Sequence, residues 1–379
     1  MSRRARSRPP RGRSRVGERF EAVVGPVAHG GHFVVRYPDG DRDRVVFVRH
    51  ALPGERVVVE VTEGTDGDRF WRGDAVAVLE PSPDRVEPPC PYAGPGRCGG
   101  CDFQHVALPA QRALKTQVVR EQLARLAGID ADVVVEPVPG DPDVTAGLRW
   151  RTRQSYARTT SGGRGMRLHR SHDVIPVDDC LIAARDAREP GPGTVTEHVL
   201  GRPFTVAADG FWQVHPTAPE TLVTEVLRVL DPAPGDTVLD LYAGVGLFAA
   251  FLTDRVGPAG RVVAVEGDRR ASELSRRNVP AAEITAGDVA EVLRTSYRDG
   301  FDLVVLDPPR EGARRAVVEQ VAARSPRKVA YVACDPAALA RDLAIFAEHG
   351  YRTTSLRGFD LFPMTHHVEC VALLTGNRL

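Results

Sequence analysis

Lysine is nearly missing from this 379-residue chain: Lys115 and Lys328 are its only two, and arginine supplies the remaining positive charge. The 50 basic residues are matched by 50 acidic ones, so net charge alone points to no class of partner. No apolar run reaches the roughly 18 residues a membrane helix needs, and Asp240 interrupts the best one. The opening MSRRARSRPPRGRSRVGERF carries arginines but no apolar segment, so it does not read as a secretory signal. Residues 1–15 are expected to be a disordered basic tail. Cysteine is scarce too, at positions 90, 98, 101, 180, 334 and 370. The clustering of the first three argues against a disulfide framework and for a metal site in a reducing, cytoplasmic setting.

What is present divides the chain. Over residues 16–80, bursts such as RFEAVV, HFVVRY and ERVVVEVTE alternate apolar and polar residues between HGG, PDGD and TDGD turns. That pattern predicts about five strands in a small barrel of the OB type. Residues 81–200 open on a proline-rich linker and the loop CPYAGPGRCGGCDFQH. A helix over 109–127 follows, with Leu114, Val118, Leu123 and Leu126 on one face, and is expected to pack on the catalytic domain; an irregular β-rich region completes this stretch. Over residues 201–379, strands ending in Gly, Asp or Pro (DTVLDL, GRVVAVEGD, FDLVVLDPPR, RKVAYVACDP) alternate with helical stretches. Such alternation predicts a Rossmann-like parallel sheet covered on both faces, closed by antiparallel strands in FDLFPMTHHVECVALLTG.

Several residues carry chemistry. Asp240 ends a strand, Gly244 and Gly246 open the next helix, and Glu266 ends the following strand at the spacing of a ribose-binding acid. This pattern suits NAD and S-adenosylmethionine equally. Asp307, in an Asp-Pro-Pro turn, belongs at the carboxyl edge of the sheet; Arg310 follows where enzymes methylating base amines carry an aromatic residue. Cys334 stands at a strand-to-helix turn, where a nucleophile is displayed, although free cysteine is more often buried and inert. Cys90, Cys98 and Cys101, joined by Cys180, form a metal-binding set open to zinc or [4Fe-4S]. Residues 148–170 hold seven arginines and no acid. With Trp150 and Tyr156 interleaved, this is either an RNA-binding hairpin, led by Arg151 and Arg153, or an ordinary exposed one.

Taken in order, AVVGPVAHGGHFVVRY, CGGCDFQH, FWQVHP, DLYAGVG, LDPPR, YVACDPAALARDL and LFPMTHHVE resemble the S-adenosylmethionine-dependent RNA 5-methyluridine methyltransferases over nearly the whole chain from residue 17. The resemblance implies a TRAM-type barrel, a [4Fe-4S] cluster and methylation of uracil C5 in RNA. It also implies cofactor contacts from Gln213, Tyr242, Glu266, Asp288 and Asp307, with Cys334 as nucleophile and Glu369 as general base. Barrel and cluster together favour the 23S ribosomal RNA branch, with tRNA as the alternative, acted on by a monomer independent of membranes. Pro336 in the first helical turn places Cys334 beside a helix N-terminus, expected to lower its pKa. Two positions depart from the family: Asp335 replaces the common asparagine after the cysteine, which should raise the thiol pKa, and Leu247 follows the glycine loop. An NAD-linked oxidoreductase and a non-catalytic RNA-binding or assembly factor are the competing readings.

Overall fold

The computed structural model describes residues 12–40, 42–140 and 142–376. Most of the expected basic tail, residues 1–11, lies outside the described residues. Residues 14 and 15 are held: Ser14 bridges to Thr65, and Arg15 pairs with Glu18 and Asp66. The chain forms two compact units. Unit 1 comprises the chain through Leu114 with Ala157–Cys180 and Met364–His366; unit 2 comprises Lys115–Tyr156, Leu181–Pro363 and the chain from His367.

Unit 1 is built on β1 (Arg19–Val23), β2 (Val27–Ala28), β3 (His32–Asp39), β4 (Arg42–Arg49), β5 (Arg56–Glu63) and β6 (Phe70–Glu80), in the order β1-β5-β6-β4-β3-β2. Strand alternation is plain in β5, where Val57, Val59 and Val61 point inward and are fully buried. The two-residue β2 raises the expected five strands to six. Pairing of β5 with β6 is irregular: Val58 faces Ala77 and Val59 faces Ala75, leaving Val76 as an extra residue. Ala157–Arg158, Arg164–Arg167 and Val174–Pro176 form a separate small antiparallel sheet in this unit.

Unit 2 carries an eight-stranded sheet of β7 (Val135–Glu136), β8 (Thr237–Leu241), β9 (Arg261–Glu266), β10 (Glu283–Ala286), β11 (Leu303–Leu306), β12 (Lys328–Ala333), β13 (Tyr351–Phe359) and β14 (Glu369–Gly376). Their spatial order is β10-β9-β8-β11-β12-β14-β13-β7. Strands β8 to β12 run parallel, and β14 lies antiparallel between β12 and β13. Successive residues feed opposite faces: Val238, Val305 and Val332 join one apolar cluster, and Leu239, Val304 and Tyr331 the other. Truncating fully buried Leu239 to Ala would cost about 2–5 kcal/mol.

Both scarce lysines have structural work. Lys115, buried on the helix Leu108–Ala127, donates to Asp360 at 2.6 Å and to the Phe362 carbonyl at 3.0 Å. Lys328 donates to the Leu230 carbonyl. On that helix Val119, rather than the expected Val118, enters the core beside Leu123. Among the described residues no helix is long and apolar enough to cross a membrane.

Candidate active site and cysteine cluster

The carboxyl ends of the parallel strands gather the titratable side chains of unit 2. After β8 the chain turns through Tyr242, Gly244 and Gly246, all with left-handed φ (62°, 56° and 90°). A Cβ on Gly246 would come within 2.7 Å of Ser275 Oγ, so the turn into the helix Leu247–Val256 needs glycine. Glu266, ending β9, is fixed by two backbone amides: Gly244 donates to its Oε2 at 2.8 Å and Asp268 to its Oε1 at 2.6 Å. Exposed Asp288 caps the helix Val289–Thr295, accepting from Glu291 N at 3.0 Å. It lies within electrostatic reach of Tyr242, whose phenol is pushed up by burial and then by Asp288 and Asp342. Gln213 is buried in the segment leading to the helix Ala218–Leu230. Buried Asp240 accepts from Ala249 N through Oδ2 and leaves Oδ1 without a partner among the described residues.

Asp307 acts on Glu369, and both act on Cys334. Asp307 directly follows β11, and its N–H donates to the Leu241 carbonyl. Burial, then Glu266, pushes its carboxyl up to about 7. Cys334 follows β12. The ladder between β12 and β14 ends with Ala333 opposite Cys370, so Cys334 and Glu369 come one step further along. Burial and Asp307 raise the Glu369 carboxyl well above the usual range. Burial, then Glu369 and Asp307, pushes the Cys334 thiol up to about 12. The expected lowering by the helix N-terminus is thus outweighed in the free chain, because desolvation penalises the thiolate more than a helix end stabilises it. Asp335 has a second occupation: it caps the helix Pro336–Glu348, accepting from Ala338 N at 2.8 Å.

Arg310 lies within electrostatic reach of both Cys334 and Glu369 and favours the ionised form of each. Its Nη2 lies 3.2 Å from His367 Nε2. Its place just past Asp-Pro-Pro was the available signal; its pairing across 57 residues was not.

The four cysteines of the expected metal set all fall in unit 1. Cys98 interacts electrostatically with Cys90 and Cys180, and Cys101 with Cys98 and Cys180; burial and these neighbours push the Cys98 and Cys101 thiols up. Gly100 N donates to Cys98 Sγ, and Gln104 Nε2 to Cys101 Sγ. Among the described residues no group of three or more His, Cys, Asp or Glu side chains is close enough to hold a metal ion. His169 is partly buried with its ring edge against His32.

The arginine-rich segment is not one hairpin. Its strand Arg151–Arg153 pairs in parallel with Ala183–Arg188, while Ala157–Arg158 and Arg164–Arg167 pair antiparallel elsewhere. Trp150 is 1% exposed and stacks on His215, so it is not a base-stacking platform. Arg151, Arg153 and Tyr156 remain partly exposed. Between the arginines, Thr152 donates through N and Oγ1 to the Val214 carbonyl, beside Gln213. Burial and the charges of Arg151 and Arg188 lower the pKa of Arg153.

Three family profiles match the chain: TRAM domain at residues 13–76, methyltransferase small domain at 222–330, and tRNA (Uracil-5-)-methyltransferase at 288–377. An uncharacterized RNA methyltransferase of Streptomyces coelicolor is 47% identical, covering 95% of this chain and 93% of its own. Another, from Bifidobacterium longum, is 38% identical over 90% of this chain and 95% of its own. Among solved structures, the Pyrococcus abyssi tRNA (uracil-54, C5)-methyltransferase in complex with S-adenosyl-L-homocysteine superposes with a TM-score of 0.70 at 21% identity. That match covers 94% of this chain and 100% of the archaeal one, and shows a shared fold.

Proposed function

Since the chain belongs to the uracil-5-methyltransferase family of RNA methyltransferases, we propose that it methylates C5 of uridine through a covalent adduct between Cys334 and uracil C6. The observation that carries this is the meeting of Cys334 and Glu369 at the ends of two adjacent antiparallel strands, beside Asp307.

Uracil C5 is a poor nucleophile until something adds to C6. The Cys334 sulfur makes that addition, forming an S–C6 bond and leaving an enolate whose electron pair is available at C5. S-adenosylmethionine, when bound, supplies the methyl group as a positively charged sulfonium. Glu369 then takes the C5 proton, and the returning electrons expel the cysteine. In the free chain burial disfavours the ionised forms of Glu369 and Cys334, whereas addition needs the thiolate and proton abstraction needs the carboxylate. Arg310 favours both ionisations. Gln213, Tyr242, Gly244, Glu266, Asp288 and Asp307 are the residues that would hold the cofactor. The fixed Glu266 carboxylate and the glycine turn suit a ribose and a close backbone approach.

Cys90, Cys98, Cys101 and Cys180 would hold a [4Fe-4S] cluster; the electrostatic reach of Cys98 to Cys90 and Cys180, and of Cys101 to Cys98 and Cys180, supports this reading. The TRAM domain, Arg151, Arg153 and Tyr156 would hold RNA flanking a uridine that leaves its stack. For the RNA itself we favour 23S ribosomal RNA. The tRNA reading is favoured by the archaeal neighbour, which acts on tRNA uracil-54 and whose fold spans 94% of this chain.

Denaturing gels with labelled methyl donor test the chemistry. Glu369→Gln should complete methyl transfer and accumulate a labelled RNA–protein band, whereas Cys334→Ala should form neither band nor product. 5-Methyluridine made by Cys334→Ala would sink the covalent mechanism. Mapping 5-methyluridine in ribosomal RNA and tRNA from a deletion strain decides the substrate.

A further inference from the structure

Unit 1 contains a cavity of about 170 Å³, bordered by His50, residues 75–78 of β6 and the loop leading to His105. Of the four clustered cysteines only Cys101 borders it, so it is not the space between the thiols.

Its polar lining is incomplete. His50 and Gln104 are 8% and 3% exposed, and His50 Nε2 and Gln104 Oε1 are buried without a hydrogen-bond partner among the described residues. Gln104 has its orientation set: Nε2 donates to Cys101 Sγ at 3.4 Å, which leaves Oε1 as a free acceptor. The backbone around the cavity is also unusual. His50 adopts a left-handed φ of 62°, a conformation that persists in non-glycine residues where surrounding structure holds it, often at ligand sites. The extra residue in β6 falls at Val76, so Val76 and Ala77 both reach the surface at the rim while Ala75 stays buried. Bulges of this kind re-aim side chains beside binding sites.

The charges nearby are already matched. Arg85 donates to both Glu55 oxygens, at 2.6 and 2.7 Å, and to the His50 carbonyl. Asp102 is paired with His366 at 2.6 Å and Arg49 at 3.4 Å. Burial, then the charge of Arg49, holds the His50 imidazole neutral. A charged ligand would therefore find no free counter-charge. A neutral heterocycle would find an acceptor in Gln104, a ring nitrogen in His50, and apolar flanks in Val76 and Val78. We propose that this cavity receives one unstacked base of the bound RNA, a base other than the uridine that is methylated. This rests on the RNA-methylating function proposed above.

Full-length protein should be titrated with a mixed-sequence single-stranded RNA 20-mer, by fluorescence anisotropy, across a series of salt concentrations. Ala77→Trp fills the cavity from its exposed rim, and Gln104→Leu removes the acceptor at similar volume. Each should weaken binding about tenfold, the scale of one lost base contact, and leave the salt slope unchanged because no phosphate contact is lost. Free adenosine, cytidine, guanosine or uridine at millimolar concentration should perturb the amide signals of residues 75–78 in wild type and not in Ala77→Trp. Gln104→Leu also loses the bond to Cys101, so Ala77→Trp, checked for an unchanged melting temperature, is decisive. Wild-type affinity in Ala77→Trp overturns the proposal and leaves the cavity to water. A weakened affinity with a shallower salt slope also overturns it, since the loss would then be of phosphate contacts. Absence of RNA binding by wild type overturns the RNA reading itself, and the base pocket with it.

Discussion

Cys334 and Glu369 lie one step beyond the end of the β12–β14 ladder, where Ala333 faces Cys370. Neighbouring strands are about 4.8 Å apart, so this position brings an acid and a thiol from sites 35 residues apart into one another's field. The thiol reports that field. Iodoacetamide should alkylate Cys334 far more slowly at pH 9 than an ordinary thiol, because its pKa is pushed up to about 12. Arg310→Ala should slow the reaction further and Glu369→Gln should speed it. Peptide mass spectrometry gives the rates, and equal rates in all three proteins would show that these charges do not reach the sulfur.

Asp307 makes stability depend on pH. Its carboxyl is raised in the folded chain from about 3.8 to about 7, so the folded state binds the proton more tightly than the unfolded one. Its contribution is fully present below about pH 4 and is lost as pH rises through about 7. Asp307→Asn should flatten that fall and raise unfolding free energy at pH 8 by ~1–3 kcal/mol. Urea denaturation at pH 5 and pH 8 measures it; an unchanged difference between the two pH values would count against the raised carboxyl.

Asp335 separates capping from charge. Asp335→Ala should cost about 1 kcal/mol through loss of the N-cap, whereas Asp335→Asn keeps an acceptor for Ala338 N and should be nearly neutral in stability. Because Asp335 raises the Cys334 pKa, the asparagine variant should also alkylate faster. A single melting curve for the wild type and both variants would remove the capping role.

The arginine strand has a salt signature. Replacing Arg151 and Arg153 by alanine should weaken RNA binding and reduce the slope of log affinity against log salt by about one to two, with S-adenosylmethionine affinity unchanged. An unaltered slope would make this strand purely structural.

Protein purified without oxygen should be brown and hold about four irons per chain. Serine at Cys90, Cys98, Cys101 or Cys180 should bleach it. Stoichiometric zinc with no visible absorbance would replace the cluster by a structural zinc site.

The parts of the site legible in the sequence are those set by local geometry. A strand running into Asp-Pro-Pro or Cys-Asp-Pro has to end there, and in a parallel sheet that end faces the cleft; Asp307 and Cys334 could be read for this reason. Pairings set by register could not. Glu369 gains its neighbour through the β12–β14 ladder, and Arg310 reaches His367 from another turn. Trp150 misled because arginines on both sides suggested an exposed aromatic, yet it is buried just ahead of the strand Arg151–Arg153, stacked on His215. The arginine run itself concealed a break, since its first strand and its later hairpin belong to different sheets.

The placement of β14 has a consequence for the protein's synthesis. Every other strand of the eight-stranded sheet precedes it in the sequence, yet it is inserted between two of them and brings Glu369 to Cys334. A chain emerging from the ribosome presents β12, and Cys334 after it, well before β14. Until residue 369 is out and the ladder has closed, a growing polypeptide lacks the residue we propose as the base. The gap left by β14 until then is flanked by the open edges of β12 and β13, the stretch where a stalled chain is most exposed to mispairing.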